Sequence, residues 1–312
     1  MLNLPATGAA YLDHFGLLRL SGADAETFLQ GQLSCDVTGL ENNKATYGSY
    51  NNPKGRMLAS FLLWRDDIGY TMTLPRSLCE STRKRLAMYV MRSKVTIVDG
   101  SDQHDLIGIV GKDAIANLPP SFAVPATTLT MTESAGARIL RLDEERCLIV
   151  SQRDGGAATR SAVPGGSPTL SAEAWDWSNI RAGIPYITVA TQEQFVPQMA
   201  NLDLINGVSF SKGCYPGQEI VARMHYLGKL KQRMYAATLS PDEIVQPGDK
   251  LFSAETGEQA TGMIVNAALV PGAGQAVLGV MHIESFKAGK VHVKSSAGPA
   301  LNFNDLPYPI PS

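Results

Sequence analysis

Cys214 lies in the stretch Lys212-Gly213-Cys214-Tyr215-Pro216-Gly217-Gln218-Glu219, with turn-forming residues on both sides of it. Proline fixes φ and glycine accepts positive φ, so the segment reads as a turn, and turns usually run over the surface. Lys212 precedes the thiol by two residues, Arg223 follows nine later, and Glu219 is the one nearby acid. Positive neighbours favour thiolate, the form that attacks electrophiles and binds metals. The other reading is a small buried cysteine that only fills space, as free cysteines commonly do. The residues alone leave both readings open.

The remaining cysteines, Cys35, Cys79 and Cys147, are far apart and lack the paired spacing of a zinc site. His14, His104, His225, His282 and His292 are scattered, and none pairs with Cys or acids at ligand spacing, so no protein-bound metal is expected. Arg76, Arg83, Lys84, Arg85, Arg92 and Lys94 form a conspicuous basic cluster. Three successive bases spread around a helix, which describes a solvated face. The functional alternative is an anion site for a polyglutamate tail or RNA phosphates.

These groups sit in a chain of 312 residues, 44% hydrophobic and 18% charged, which suits one large domain or two to three ordinary ones. Lys plus Arg total 27 against 29 Asp plus Glu, a net charge of −2, so coating nucleic acid is not indicated as the main role. Met1 to Leu12 carries no basic leader, and the densest apolar run, Phe61-Leu62-Leu63-Trp64, is only strand length. A cytoplasmic monomer with reduced thiols and no membrane contact is expected.

The elements that must position these groups are mixed. Phe15–Leu20 predicts a strand, and Ser21 or Asp24 caps a short helix leading into Thr27-Phe28-Leu29-Gln30. Asn51-Asn52-Pro53-Lys54-Gly55 predicts a hairpin turn between strands at 45–50 and 56–64. Arg76–Met91 predicts a helix with Leu78, Leu86, Met88 and Tyr89 on its apolar face, and Val95–Val98 a strand. Gly, Ala, Ser, Thr and Pro dominate 151–171, a weak connection, after which Trp175 and Trp177 resume a packed region. From about Lys231 the pattern is all strand and turn, around Met234–Leu239, Thr261–Asn266, Val277–His282 and Lys290–Val293, with Pro-Gly pairs between them. That spacing predicts a small antiparallel barrel. Gly272-Ala273-Gly274 is read as a turn, since no helix follows it.

Lys212–Glu219 resembles, at every fixed position, the Lys-Gly-Cys-Tyr-x-Gly-Gln-Glu signature of the YgfZ-type folate-binding proteins. Pro197-Gln198, Asn201-Leu202 and Gly207-Val208-Ser209-Phe210 resemble the same family upstream. So do Gly22-Ala23-Asp24, Gln30-Gly31-Gln32-Leu33 with Asp36-Val37, and Ser93-Lys94-Val95. Ser34-Cys35 departs from it, where relatives commonly show Thr or Asn. Cys35 is expected to pack.

The resemblance implies an α+β relative of the glycine cleavage T-protein, a tetrahydrofolate-dependent aminomethyltransferase. It implies a ring of three subdomains around a central folate hole. Residues 1–230 would then form the folate-binding region and 231–312 a C-terminal β-barrel subdomain. It further implies that Phe15 and Trp175 hold tetrahydrofolate or a derivative by stacking, which suits a flat pterin, with Trp177 structural. The T-protein's catalytic Asp has no clear counterpart here: Asp36, Asp66 and Asp67 are only available carboxylates, and Pro197-Gln198-Met199 offers an amide where a carboxylate is wanted.

The expected role is therefore a folate-binding accessory protein in iron–sulfur cluster assembly or repair, indirectly supporting tRNA modification. Its partners would be iron–sulfur assembly proteins or client enzymes, any cluster being bridged with a partner. Cys214 and Lys212 would be the working pair, framed by Gly213, Tyr215, Gly217, Gln218, Glu219 and Arg223. Asp203 and Arg223 are expected to bond backbone near the motif. The rivals are a one-carbon transferase, a thiol redox protein and an RNA-binding module.

Overall fold

The computed structural model describes residues 7–153, 168–241, 243–270 and 273–311. The chain opens with β1 (Gly8–Tyr11), β2 (Phe15–Ser21) and α1 (Ala25–Gln30). Asp24 stands at the N-cap of α1 without a side-chain cap bond. Its carboxylate instead accepts the Lys94 backbone N–H at 2.7 Å. Next come β3 (Ala45–Asn51), β4 (Met57–Asp66), β5 (Gly69–Pro75), α2 (Arg76–Met88), β6 (Thr96–Asp99) and β7 (His104–Val110).

The β3–β4 turn forms as predicted: the Asn52 carboxamide oxygen accepts the N–H groups of Lys54 and Arg56. The five-stranded sheet runs β3-β4-β5-β2-β6. Its strand β4 is buried on both faces along nearly its whole length, with Phe61, Leu62, Leu63 and Trp64 all within 1% of full burial. A continuous apolar run is what such a strand needs.

Helix α2 corrects one expectation. Leu78 and Leu86 are buried together with Cys79 and Thr82, whereas Met88 and Tyr89 are exposed. Met88 lies about 200° around the helix from Leu86, off the buried stripe, and Tyr89 is the C-cap residue beyond the last turn. Half of the basic cluster is spent on local pairs. Glu80 holds Arg83 and Lys84, and Arg76 pairs with Asp102.

After α3 (Lys112–Ala116), β8 (Thr130–Ser134), β9 (Ala137–Arg141), β10 (Arg146–Gln152) and β11 (Thr169–Leu170) complete a six-stranded sheet of order β11-β1-β7-β10-β9-β8. Ile107, Ile109, Ile139, Cys147 and Ile149 form its buried face. Most of the expected weak connection at 151–171 lies outside the described residues, as do Pro271 and Gly272. Helices α4 (Ala172–Arg181) and α5 (Gln218–Tyr226) follow.

The C-terminal strands are β12 (Gln232–Leu239), β13 (Lys250–Ser253), β14 (Ala260–Val270) and β15 (Gly274–His282). Helix α6 (Ile283–Ala288) interrupts a stretch read as all strand and turn, and β16 (Val291–Val293) and β17 (Asn302–Asn304) end the chain. The antiparallel sheet β16-β13-β14-β15-β12-β17 is a curled half-barrel. Residues 299–304 draw its edges together. The Val293 and Leu301 N–H groups bond Pro299 and Val291 carbonyls on one side, and β17 pairs with β12 on the other. Tyr235, Leu251, Ile264, Val277, Met281 and Val293 fill its core.

The chain divides into two compact units. The first comprises residues 1–32, 36–47 and 61–178; the second comprises 33–35, 48–60 and 179–312.

Candidate functional site

In the second unit, the Cys214 turn is held by its neighbours on both sides. The Lys212 ammonium donates to the carbonyls of Leu33 and Cys35, each at 2.7 Å, and lies 5.3 Å from the centre of the Tyr215 ring. Lys212 thus anchors the turn through charge-assisted bonds, a use of its charge that its position in sequence did not reveal. Tyr215 is buried, and burial raises its phenol well above the usual range, with Cys35 adding to the rise.

Gly217 caps α5 at φ +79, and a Cβ there would lie 2.5 Å from the Asn52 carbonyl oxygen and from two backbone atoms of Gly55. Only glycine lets these two turns touch. Gly213 is different: a Cβ on it would meet nothing within 4 Å. The Gln218 amide donates to the Lys212 carbonyl at 3.4 Å, while Glu219 and Arg223 are exposed on α5.

Cys214 is exposed, whereas Cys35, Cys79 and Cys147 are buried. Burial pushes the thiols of Cys79 and Cys147 up to about 12. Of the four, Cys214 is therefore the thiol that solvent and a partner can reach.

Asp203 does not bond backbone as expected. It receives both ends of the Arg233 guanidinium, at 2.7 and 2.9 Å, and Arg233 also donates to the Gln198 carbonyl at 2.8 Å. The Arg223 side chain makes no hydrogen bond or ion pair among the described residues. The Gln198 amide donates to the Val221 carbonyl of α5 at 2.6 Å. The Asn201 amide donates to the Met234 carbonyl of β12 at 2.8 Å. The resemblance at 197–202 thus marks the residues that tie α5 and β12 to one support. Arg233 had no sequence signal, because its partner is thirty residues away.

The expected folate aromatics lie in the first unit. Phe15 opens β2 and is 6% exposed; Trp175, on α4, is 2% exposed. A Cβ on Gly108 would come within 2.3 Å of the Trp175 ring, so β7 carries glycine where the indole packs. His14, just before Phe15, and Asp176, just after Trp175, pair at 2.9 Å (Nε2 to Oδ1). The His14 ring meets Phe15 edge to face at 4.8 Å. Its other nitrogen, Nδ1, is buried with no hydrogen-bond partner. Among the described residues, no group of three His, Cys, Asp or Glu side chains gathers as a metal site.

The architecture is that of the glycine cleavage T-protein. The aminomethyltransferase T of Bartonella henselae superposes with a TM-score of 0.76 over 97% of this chain and 87% of its own, at 16% identity. No family model matches the chain. Among curated proteins, tRNA-modifying protein YgfZ of Klebsiella pneumoniae is 32% identical over 95% of this chain and 91% of its own. That of Colwellia psychrerythraea is 31% identical over 83% and 79%. The chain belongs to the YgfZ family of tRNA-modifying proteins.

Proposed function

We propose that this chain binds folate and serves iron–sulfur cluster assembly or repair, through which it supports tRNA modification, with Cys214 as its working thiol. One observation carries the reading: Cys214 alone among the four cysteines is exposed, on a turn fixed by Lys212 and Gly217. The name shared by its relatives supports the tRNA process, and the T-protein fold supports folate as ligand. One cysteine cannot hold a cluster that needs about four thiolates, so the cluster is cargo shared with a partner's ligands. In this reading Lys212 positions the thiol rather than reacting.

Folate suits the residues around Phe15. A pterin ring is a flat heteroaromatic with donors and acceptors on its edge, and the buried, unpartnered His14 Nδ1 is a group that such an edge would satisfy. Trp175 would act as the wall behind it. Saturating tetrahydrofolate is expected to raise the melting temperature, since a ligand selective for the native state stabilises it by mass action. Phe15→Ala is expected to weaken binding by about 1–3 kcal/mol, the range for losing a stacking partner. For Trp175 the conservative Trp175→Phe is the informative variant, because alanine in this buried position would itself cost about 3–5 kcal/mol of stability.

The experiment that tests the thiol is complementation of a deletion strain with wild type or Cys214→Ala, scored by the activity of several iron–sulfur enzymes. The alanine variant is expected to fold and to fail. Full complementation by it would remove Cys214 from the function.

A further inference from the structure

Helix α5 continues from the Cys214 turn into a surface that its neighbours do not cover. Tyr226 is 65% exposed, Leu227 85% and Ile220 41%. The rings there are ordered against one another. Phe210 stacks on His225 with centroids 3.7 Å apart and planes 13° from parallel. Tyr226 stands edge-on to His225 at 4.7 Å and to Phe210 at 6.3 Å. Lys229 and Lys231 follow directly, and Arg223 lies one turn before the rings; all three are exposed, and their side chains make no ion pair or hydrogen bond among the described residues. From 219 to 231 there are three such cations against one acid, Glu219, in a chain whose net charge is −2.

Uncompensated cations beside exposed aromatic faces are what single-stranded nucleic acid requires. The cations neutralise phosphates with release of counterions, and every base has a π face to stack. An acidic protein segment would use the cations but leave the ring stack unexplained. We propose that this face of α5, with Phe210, His225, Tyr226, Lys229 and Lys231, binds single-stranded RNA beside Cys214. The proposal deepens the role in tRNA modification and rests on that reading for its biological context.

The test is fluorescence anisotropy with a labelled ten-nucleotide single-stranded RNA and a duplex of the same sequence, at several salt concentrations. The full chain is compared with Tyr226→Ala and with Lys229→Ala/Lys231→Ala. Single strand is expected to bind more tightly than duplex, and Tyr226→Ala to weaken it about tenfold. The double lysine variant is expected to make the slope of log affinity against log salt shallower by about 0.7 per lysine. A third variant, Arg85→Ala/Arg92→Ala/Lys94→Ala, is expected to bind as wild type. No measurable binding, preference for duplex, or loss only in that third variant would overturn the proposal. Equal competition by oligoglutamate would overturn it in favour of an acidic protein partner. Tetrahydrofolate-dependent thermal shifts of Tyr226→Ala and the double lysine variant separate the two readings. A retained shift with no RNA binding in the wild type refutes the RNA surface and leaves folate standing; no shift in the wild type refutes folate alone.

Discussion

Replacing Gly217 by alanine places a methyl group where the Cys214 turn meets the β3–β4 turn. Two costs are readable from the geometry. The residue sits at φ +79, where an L side chain costs about 1–2 kcal/mol. The new Cβ would also lie 2.5 Å from Asn52 and Gly55 backbone atoms, which cannot rotate away as a side-chain tip can. Forcing a carbon into such a contact costs typically about 1–3 kcal/mol through backbone shifts. Together the expected loss is about 2–5 kcal/mol, read as a lower midpoint in urea at unchanged slope. Gly213→Ala supplies the contrast, because its Cβ meets nothing within 4 Å. It is expected to change stability by less than about 0.5 kcal/mol. Equal midpoints for the two variants would refute the argument that the motif's second glycine is a packing requirement and the first is not.

Iodoacetamide at neutral pH is expected to modify Cys214 well before Cys35, Cys79 and Cys147 in the folded protein, read by peptide mass spectrometry; a slower Cys214 would contradict its exposure. Because the folded Cys79 and Cys147 thiols are raised from 9.0 to about 12, the unfolded chain ionises them first. Their contribution to stability is complete below about pH 9 and is lost as pH rises toward 12, which denaturant titrations in that window would detect. Arg233→Ala leaves the nearly buried Asp203 carboxylate without its bidentate partner and is expected to cost about 3–5 kcal/mol. Arg233→Lys should recover only part of it, since an ammonium cannot donate the fork.

What the sequence determined by itself was local chemistry. Asn52-Pro53-Lys54-Gly55 made its turn because proline, glycine and an Asn side chain each fix backbone within four residues. The C-terminal strands were legible from alternation between Pro-Gly turns, and Phe61–Trp64 from an apolar run too short for anything but a buried strand. The residues around Cys214 announced a turn but left open whether the thiol is exposed or buried, and the fold leaves it exposed. Tertiary structure alone decided the rest. Met88 and Tyr89 were assigned to a buried face by period, but the fold leaves both in solvent. Lys212 was read as a charge for its neighbour Cys214, yet its ammonium reaches carbonyls near residue 34 that lie far away along the chain. Asp203 found its partner in Arg233, across thirty residues. Each of these depends on which segments fold against one another, and spacing along a chain carries no information about a partner that is brought near only by the fold.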